Sequence, residues 1–460
     1  MKKLILISGV LLSSFFAHSQ TQLWGMTRFG GANNYGTIFK TDGTGTNFTI
    51  QKDFIFAEGG IPQGALIQAT DGKLYGLTNS GGASFSYGSI FQYDPIANIY
   101  TLLKKFNSTN GDGPKGSLLQ TADGKMYGMT YYGGSNDVGV IFQYDPITNV
   151  LVKKIDFSLT NGSYPAGSLI QATDGNLYGM TSEGGANGKG VLFQYNPTTN
   201  TYLKKIDFAG VTNGSNPVGS LIQASDGKLY GMTKLGGIYT PNSGVIFQYD
   251  PVSNVLTKKI DLSGTTGAAI GHMPTGSLMI ANDGKMYGVT GGYPILFQYD
   301  FINNIYTYKI NLPPTPEGSL LQASDGKLYG TSIYGGVNGK GTIYQYDYNS
   351  NVLAIKTDFN STNATYPTIS LIEISGSLNF KENQLSNNFK IYPNPTNGNF
   401  NIEIDENLIG SKAIIYNLLG QKIKDFKLNS TTTNQNLNKG IYLLEIEKEG
   451  IKTVKKLIVN

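Results

Sequence analysis

The residues of this sequence whose types suit chemistry are its carboxylates, one histidine and a set of tyrosines, and many of them recur at a fixed period. Asp-Gly-x-x-Tyr-Gly begins at Asp71, Asp123, Asp174, Asp226, Asp283 and Asp325, at spacings of 52, 51, 52, 57 and 42. A carboxylate beside a glycine turn suits a hard cation, which takes several carboxylate or carbonyl oxygens. Each pair stands alone, without the interleaved second and third acidic residues of a calcium loop. The spacing therefore assigns these aspartates to turns, and neither metal nor cofactor is expected. Asp112, Asp137, Glu183 and Glu317 fall in different copies of the repeat, and no spacing pairs them as the two carboxylates of a glycosidase. His272, the only histidine besides His18, has no histidine or carboxylate neighbour with which to act as base or ligand. The absence of cysteine excludes thiolate nucleophiles and metal–thiolate sites. No catalytic residue can be named, and the chain reads as a non-enzyme. With a formal charge of +4 that includes Lys2 and Lys3, and with Arg28 its only arginine, the sequence lacks the basic footprint of a nucleic-acid binder.

The elements that must position these residues repeat with the same period. Leu23-Trp24-Gly25-Met26-Thr27 aligns with Leu74-Tyr75-Gly76-Leu77-Thr78 at an offset of 51, which adds a degenerate copy at the start. Each unit reads as four short strands, in one copy Gly167 to Ala172, Asn176 to Thr181, Val191 to Tyr195 and Thr201 to Ile206. Thr173-Asp174-Gly175 supplies the positive φ of a tight hairpin, and Asn196-Pro197-Thr198-Thr199-Asn200 a second turn. The third strand occurs seven times, at Phe39, Phe91, Phe142, Phe193, Phe247, Phe297 and Tyr344. The first strand also occurs seven times, after Pro62, Pro114, Pro165, Pro217, Pro274, Pro316 and Pro367. The N-terminal copy lacks its first strand, while the last copy, Pro367 to Ile374, has nothing else. The expected fold is all-β: a seven-bladed β-propeller over residues 20–374, closed by N- and C-terminal strands sharing one blade, which removes the two exposed edges that the incomplete end copies would otherwise leave. Gln68, Gln120, Gln171, Gln223 and Gln322 are expected to face the central channel or to bond between blades.

In such a meander the two stereotyped hairpins of each blade share one face, and loops of varying length and chemistry share the other. The variable loops carry Arg28, Phe29, Phe85, Tyr87, Tyr131, Tyr132, Glu183, Lys234, Tyr239 and Tyr334, the candidate binding residues. Flat aromatics beside small polar groups suit sugar rings or extended peptide; the other reading is that they pack the loops against their neighbours. The expected function is a non-catalytic glycan- or protein-binding module. An exported polysaccharide-active enzyme and a purely structural surface protein stay open as alternatives.

At the N-terminus, Lys2-Lys3, an apolar run from Leu4 to Phe16, and Ala17-His18-Ser19 have the order of a signal peptide, residues 1–19; that run is too short to span a bilayer, so no transmembrane segment is expected in the mature chain. Residues 375–388 read as a polar linker, and 389–460 as a small β-sandwich.

This last segment resembles the C-terminal sorting domain of type IX secretion cargo in Gram-negative bacteria, through Tyr392-Pro393-Asn394-Pro395, Leu419-Gly420-Gln421, Gly440-Ile441-Tyr442-Leu443 and the Lys455-Lys456 strand. The resemblance implies an Ig-like sandwich, handling by the type IX machinery through 389–460, and a product that is secreted, extracellular or attached to the outer-membrane surface, with surface polysaccharide as an attachment point. The repeat tract resembles tandem-repeat bacterial surface proteins of the GloVer type, which share the Asp-Gly-x-x-Tyr-Gly core and the double glycines Gly81-Gly82 and Gly184-Gly185. That likeness implies no activity.

Overall fold

The computed structural model describes residues 21–82, 87–239, 243–360, 364–367, 370–375, 389–417, 422–448 and 451–459. The leader 1–19, Phe85, most of the linker and the Leu419-Gly420-Gln421 turn lie outside them. The chain divides into two compact units, Met1–Gly376 and Ser377–Asn460.

In the first unit the described residues form seven four-stranded antiparallel sheets in a propeller-like arrangement. Six are consecutive in sequence. The remaining one joins Thr21–Thr27 and the two strands after it to the distant Ile372–Ser375, with Thr21 opposite Ser375 and Trp24 opposite Ile372. Ser375, assigned to the linker by sequence, thus belongs to a sheet. The sheets are numbered here from this one, so that Leu177–Thr181 lies in the fourth.

Burial explains why each strand has its composition. Leu177–Thr181 and its counterparts are buried on both faces, so they read as continuous apolar runs. Thr201–Asp207, at the outer edge, is only partly covered. Between the third and fourth strands every sheet has a register shift, as at Leu192/Phe193; such bulges sharpen strand twist. In the second, third and fourth sheets the first strand is shorter than expected, only Ile170–Gln171 in the fourth, whereas in the fifth to seventh it is long, as at Ser215–Gln223. In the fourth sheet the preceding Gly-Ser segment bonds sideways to the next sheet instead of down its own.

Seven apolar clusters fill the gaps between successive sheets, the last placing Tyr329 and Phe359 of the seventh sheet against Leu23 and Phe39 of the first. Phe193 is wholly buried among residues of the third and fourth sheets; truncating it to alanine would cost about 3–5 kcal/mol. The ring of Phe193 also explains the last glycine of Asp-Gly-x-x-Tyr-Gly, since a Cβ on Gly179 would lie 2.5 Å from it.

The second unit is a sandwich of a three-stranded and a four-stranded sheet around Phe389, Phe400, Ile402, Ile415, Leu444 and Leu457. Its opening motif contains two cis peptide bonds, Tyr392-Pro393 and Asn394-Pro395. Asn394 Oδ1 accepts the Ile458 N–H at 2.9 Å, and the Thr396 N–H donates to the Ile458 carbonyl, so the motif holds the final strand. Lys455 reaches back over the Phe389 ring and donates to the Phe389 carbonyl at 2.6 Å.

Candidate functional site

Six sheets carry the Asp-Gly hairpin at one end, and there the repeated polar residues serve one another. Asp174 accepts the Asn176 N–H at 3.0 Å and the Tyr178 hydroxyl at 2.8 Å. Burial alone would raise the Asp174 carboxyl, yet these bonds hold it below its usual value. The same Asp–Tyr bond recurs at Asp71, Asp226, Asp283 and Asp325, so these carboxylates are occupied by turn and tyrosine. The glutamines bond between sheets: Gln223 accepts the Thr173 N–H of the previous sheet at 2.8 Å and donates to the Gly227 carbonyl of its own hairpin. Gln120 and Gln322 do the same.

The opposite ends of the sheets are irregular. Each passage into a new sheet puts the residue before proline in the left-handed region: Ile61, Gly113, Tyr164, Asn216, Met273, Thr315 and Tyr366, with φ between 51° and 58°. Left-handed backbone is costly for β-branched Ile61 and Thr315. It is held by hydrogen bonds on both sides; the Tyr164 N–H donates to Val138 of the third sheet, and its carbonyl accepts from Ser182 of the fourth.

After each proline the first strands of all seven sheets converge on one cavity of about 170 Å³. Its wall is Gly64, Gly116, Gly167, Gly219, Gly276 and Gly318 with the serines that follow most of them. Glycine is required by close approach, because a Cβ on Gly167 would collide with the Gly219 carbonyl. Ser117, Ser168, Ser220, Ser277, Ser319 and Ser370 each accept a backbone N–H from the neighbouring sheet at 2.7 to 3.0 Å.

The residue between proline and glycine varies: Gln63, Lys115, Ala166, Val218, Thr275 and Glu317. Lys115 lines the cavity and lies over the Tyr131 ring, 3.1 Å from its centroid. Burial lowers the Lys115 ammonium, and Arg28 lowers it further by repulsion. Burial raises the Glu317 carboxyl, while the positive charges of Arg28 and Lys234 work against the rise. Lys115 thus lines the cavity, and Arg28, Lys234 and Glu317, from three other sheets, lie close enough for Arg28 to act on Lys115 and for Arg28 and Lys234 to act on Glu317. None of the four is in a salt bridge among the described residues, and the Arg28 Nε is buried without a hydrogen-bond partner.

Of the candidate residues, Tyr131 lies under Lys115 of the cavity wall, and Arg28 and Lys234 are near enough to act on the charges of Lys115 or Glu317. Phe29 and Tyr334 each pack near-perpendicular to the Tyr366 ring. Tyr131, Tyr132 and Tyr164 form one aromatic cluster. Tyr132, Tyr239 and Tyr334 remain about half exposed, and Glu183 is exposed with its backbone paired to Ser163. Lys115 escaped sequence reasoning, although comparing the copies position by position reveals a charge where others have alanine, valine or threonine.

A second cavity of about 410 Å³ lies between the second and third sheets, lined by Tyr87, Ser108, Thr109, Asp112, Gly134, Ser135 and Asp137. Asp112 and Asp137, which no spacing along the sequence pairs, thus line one cavity from different loops. Burial and then the charge of Asp137 raise the Asp112 carboxyl. Asp137 also accepts the Gly133 N–H at 2.9 Å, as Asn34 does for Gly30, so part of its role is to shape the loop.

A family model described as the Gloeobacter/Verrucomicrobia repeat matches residues 12–173 and 156–313. The chain belongs to this repeat family. A secretion system C-terminal sorting domain matches residues 390–460. The repeat protein is therefore exported as type IX cargo, to the cell surface or the extracellular medium. No helix among its described residues is long and apolar enough to cross a membrane. Its repeat tract is similar in fold to a putative 6-phosphogluconolactonase from Bacteroides fragilis, at 17% identity and a TM-score of 0.54, over 77% of this chain and 98% of that one. A putative 6-phosphogluconolactonase from Bacteroides uniformis is similar at 13% identity and a TM-score of 0.52, over 77% and 99%. At such identities the likeness is one of fold alone. No curated protein matches the sequence.

Proposed function

We propose that the seven sheets form one closed seven-bladed ring, residues 20–374, and that the ring is a non-catalytic module binding glycan or protein through its variable face. On this reading the leader 1–19 directs entry to the periplasm, and 389–460 directs passage across the outer membrane. Closure is supported by the pairing of Thr21–Trp24 with Ile372–Ser375 and by the apolar cluster joining the seventh sheet to the first. The observation that carries the binding role is the contrast between the two ends of the sheets. The hairpin end is nearly identical from copy to copy and spends its polar groups on itself, while the other end breaks the repeat with Arg28, Lys115, Lys234, Glu317 and half-exposed tyrosines. Variable loops on a rigid scaffold are where recognition residues are placed. Glycan-array and surface-protein binding by the full chain tests this, with Tyr132→Ser and Tyr334→Ser expected to weaken any interaction. Absence of all binding would leave the structural role.

Asp112 and Asp137 favour a second reading, an exported polysaccharide-active enzyme, since two carboxylates with one raised pKa suit acid–base cleavage. Hydrolysis of a polysaccharide by the full chain, abolished in Asp112→Asn, would establish it; no hydrolysis across a panel would remove it.

A further inference from the structure

The axial cavity and its mouth carry a more specific reading, one that rests on ligand binding at the variable face. About 170 Å³ is too small for a whole saccharide but fits one polar headgroup with a few waters. The wall offers hydrogen-bond donors. Each of the six serine hydroxyls already accepts a backbone N–H, and none has an acceptor for its own proton among the described residues. Lys115 stands within the lining; Arg28, just past the second strand of its sheet, acts on the Lys115 charge, and Lys234, near the end of the matching strand Leu229–Leu235 of the fifth sheet, acts with Arg28 on Glu317. Glu317, one residue from the lining glycine Gly318, is a partly buried carboxylate set against Arg28 and Lys234. Among the described residues none of the three cations is in a salt bridge; Arg28 and Lys115, both partly buried, lie over the rings of Phe29 and Tyr131, while Lys234 is exposed. A guanidinium accepts a carboxylate in a two-bond fork, and the half-exposed Tyr132 and Tyr334 offer flat faces on the same side of the sheets.

We propose that this mouth binds an acidic saccharide, with the carboxylate held by Arg28 and Lys115 above the serine-lined cavity and the sugar rings lying across the variable face. The serine hydroxyls then donate to the carboxylate or to waters it retains.

The test is isothermal titration calorimetry of the full chain with three probes: a uronic-acid oligosaccharide, a neutral oligosaccharide of the same length and linkage, and inorganic phosphate. The acidic probe is expected to bind at least about tenfold more tightly than either other probe, and Arg28→Gln/Lys115→Gln to erase that difference. Thermal unfolding of the double variant verifies its fold, and Lys125→Gln, at a hairpin, serves as a charge control expected to bind like the parent. Equal affinity for acidic and neutral probes, or indifference to the double substitution, overturns the inference while binding at the variable face stands. Phosphate binding as tightly as the acidic saccharide also overturns it, leaving a general oxyanion site. If no saccharide binds, the inference fails, and the wider binding reading then depends on protein ligands alone.

Discussion

Glu373, in the last strand of the repeat tract, accepts both the backbone N–H and the hydroxyl of Ser324 in the seventh sheet, at 2.8 and 2.7 Å. Elsewhere a glutamine does this work, because its amide group must also donate to the glycine carbonyl of its own hairpin. The first sheet is assembled from the two ends of the repeat tract and has no such hairpin, so a pure acceptor fits. Glu373→Ala should therefore destabilise the repeat tract by about 1 kcal/mol, the exposed position limiting the loss. Glu373→Gln, which keeps an acceptor, should cost less. Urea unfolding of both variants measures the difference, and equal effects would show that the bond contributes nothing.

Gly167→Ala tests the crowding around the glycine-lined cavity. The new Cβ would meet the Gly219 carbonyl, so about 1–3 kcal/mol should be lost as first strands are pushed apart. Gly175→Ala, where nothing lies within 4 Å but φ is +79°, separates backbone strain from collision. The Gly167 variant should lose contacts between neighbouring sheets, visible as faster amide exchange at Ser168 and Ser220.

Thr315→Gly should raise stability. Thr315 is β-branched and held at φ 54°, and relief of left-handed strain, about 1–2 kcal/mol, exceeds the extra unfolded-state entropy of glycine. A net gain of about 0.5–1 kcal/mol in chemical unfolding is expected; a loss would mean that the threonine side chain contributes more than its backbone costs.

Stability should fall at both extremes of pH. Asp123 and Asp174 are held below the usual 3.8 by their hydrogen bonds, although burial works the other way. Their depressed folded values mean that this stabilisation is complete well above 3.8 and is lost as pH falls through them. Tyr144, Tyr195 and Tyr249 are pushed from 10.0 up to about 12, chiefly by burial. Raised folded values give the reverse sign: stability is whole below pH 10.0 and is lost as pH rises toward about 12. Tyrosinate absorbance followed together with far-ultraviolet circular dichroism should show these tyrosines ionising only as the sheets unfold.

Much of the architecture was legible because it is periodic. Asp174, Tyr178, Gly179 and Phe193 answer one another within a single copy, through a turn bond, a hydroxyl bond and a ring packed on a glycine, so six repetitions of the spacing declare the strands. The shortness of Ile170–Gln171 was not legible, since Gly167 and Ser168 look like strand residues until the neighbouring sheet claims their hydrogen bonds. For the same reason the sequence offered Arg28, Tyr131 and Lys234 as separate loop residues, and passed over Lys115.

By itself, then, the sequence determined an all-β repeat built from four-stranded units and a C-terminal sorting segment, because local turn chemistry and alternating burial act over a few residues. Only the tertiary structure decided which distant residues share a cavity. Lys115, Glu317, Arg28 and Lys234 belong to different sheets, and Asp112 and Asp137 to different loops. Their proximity follows from how the sheets pack side by side around the converging first strands, a relation that no spacing along the chain contains.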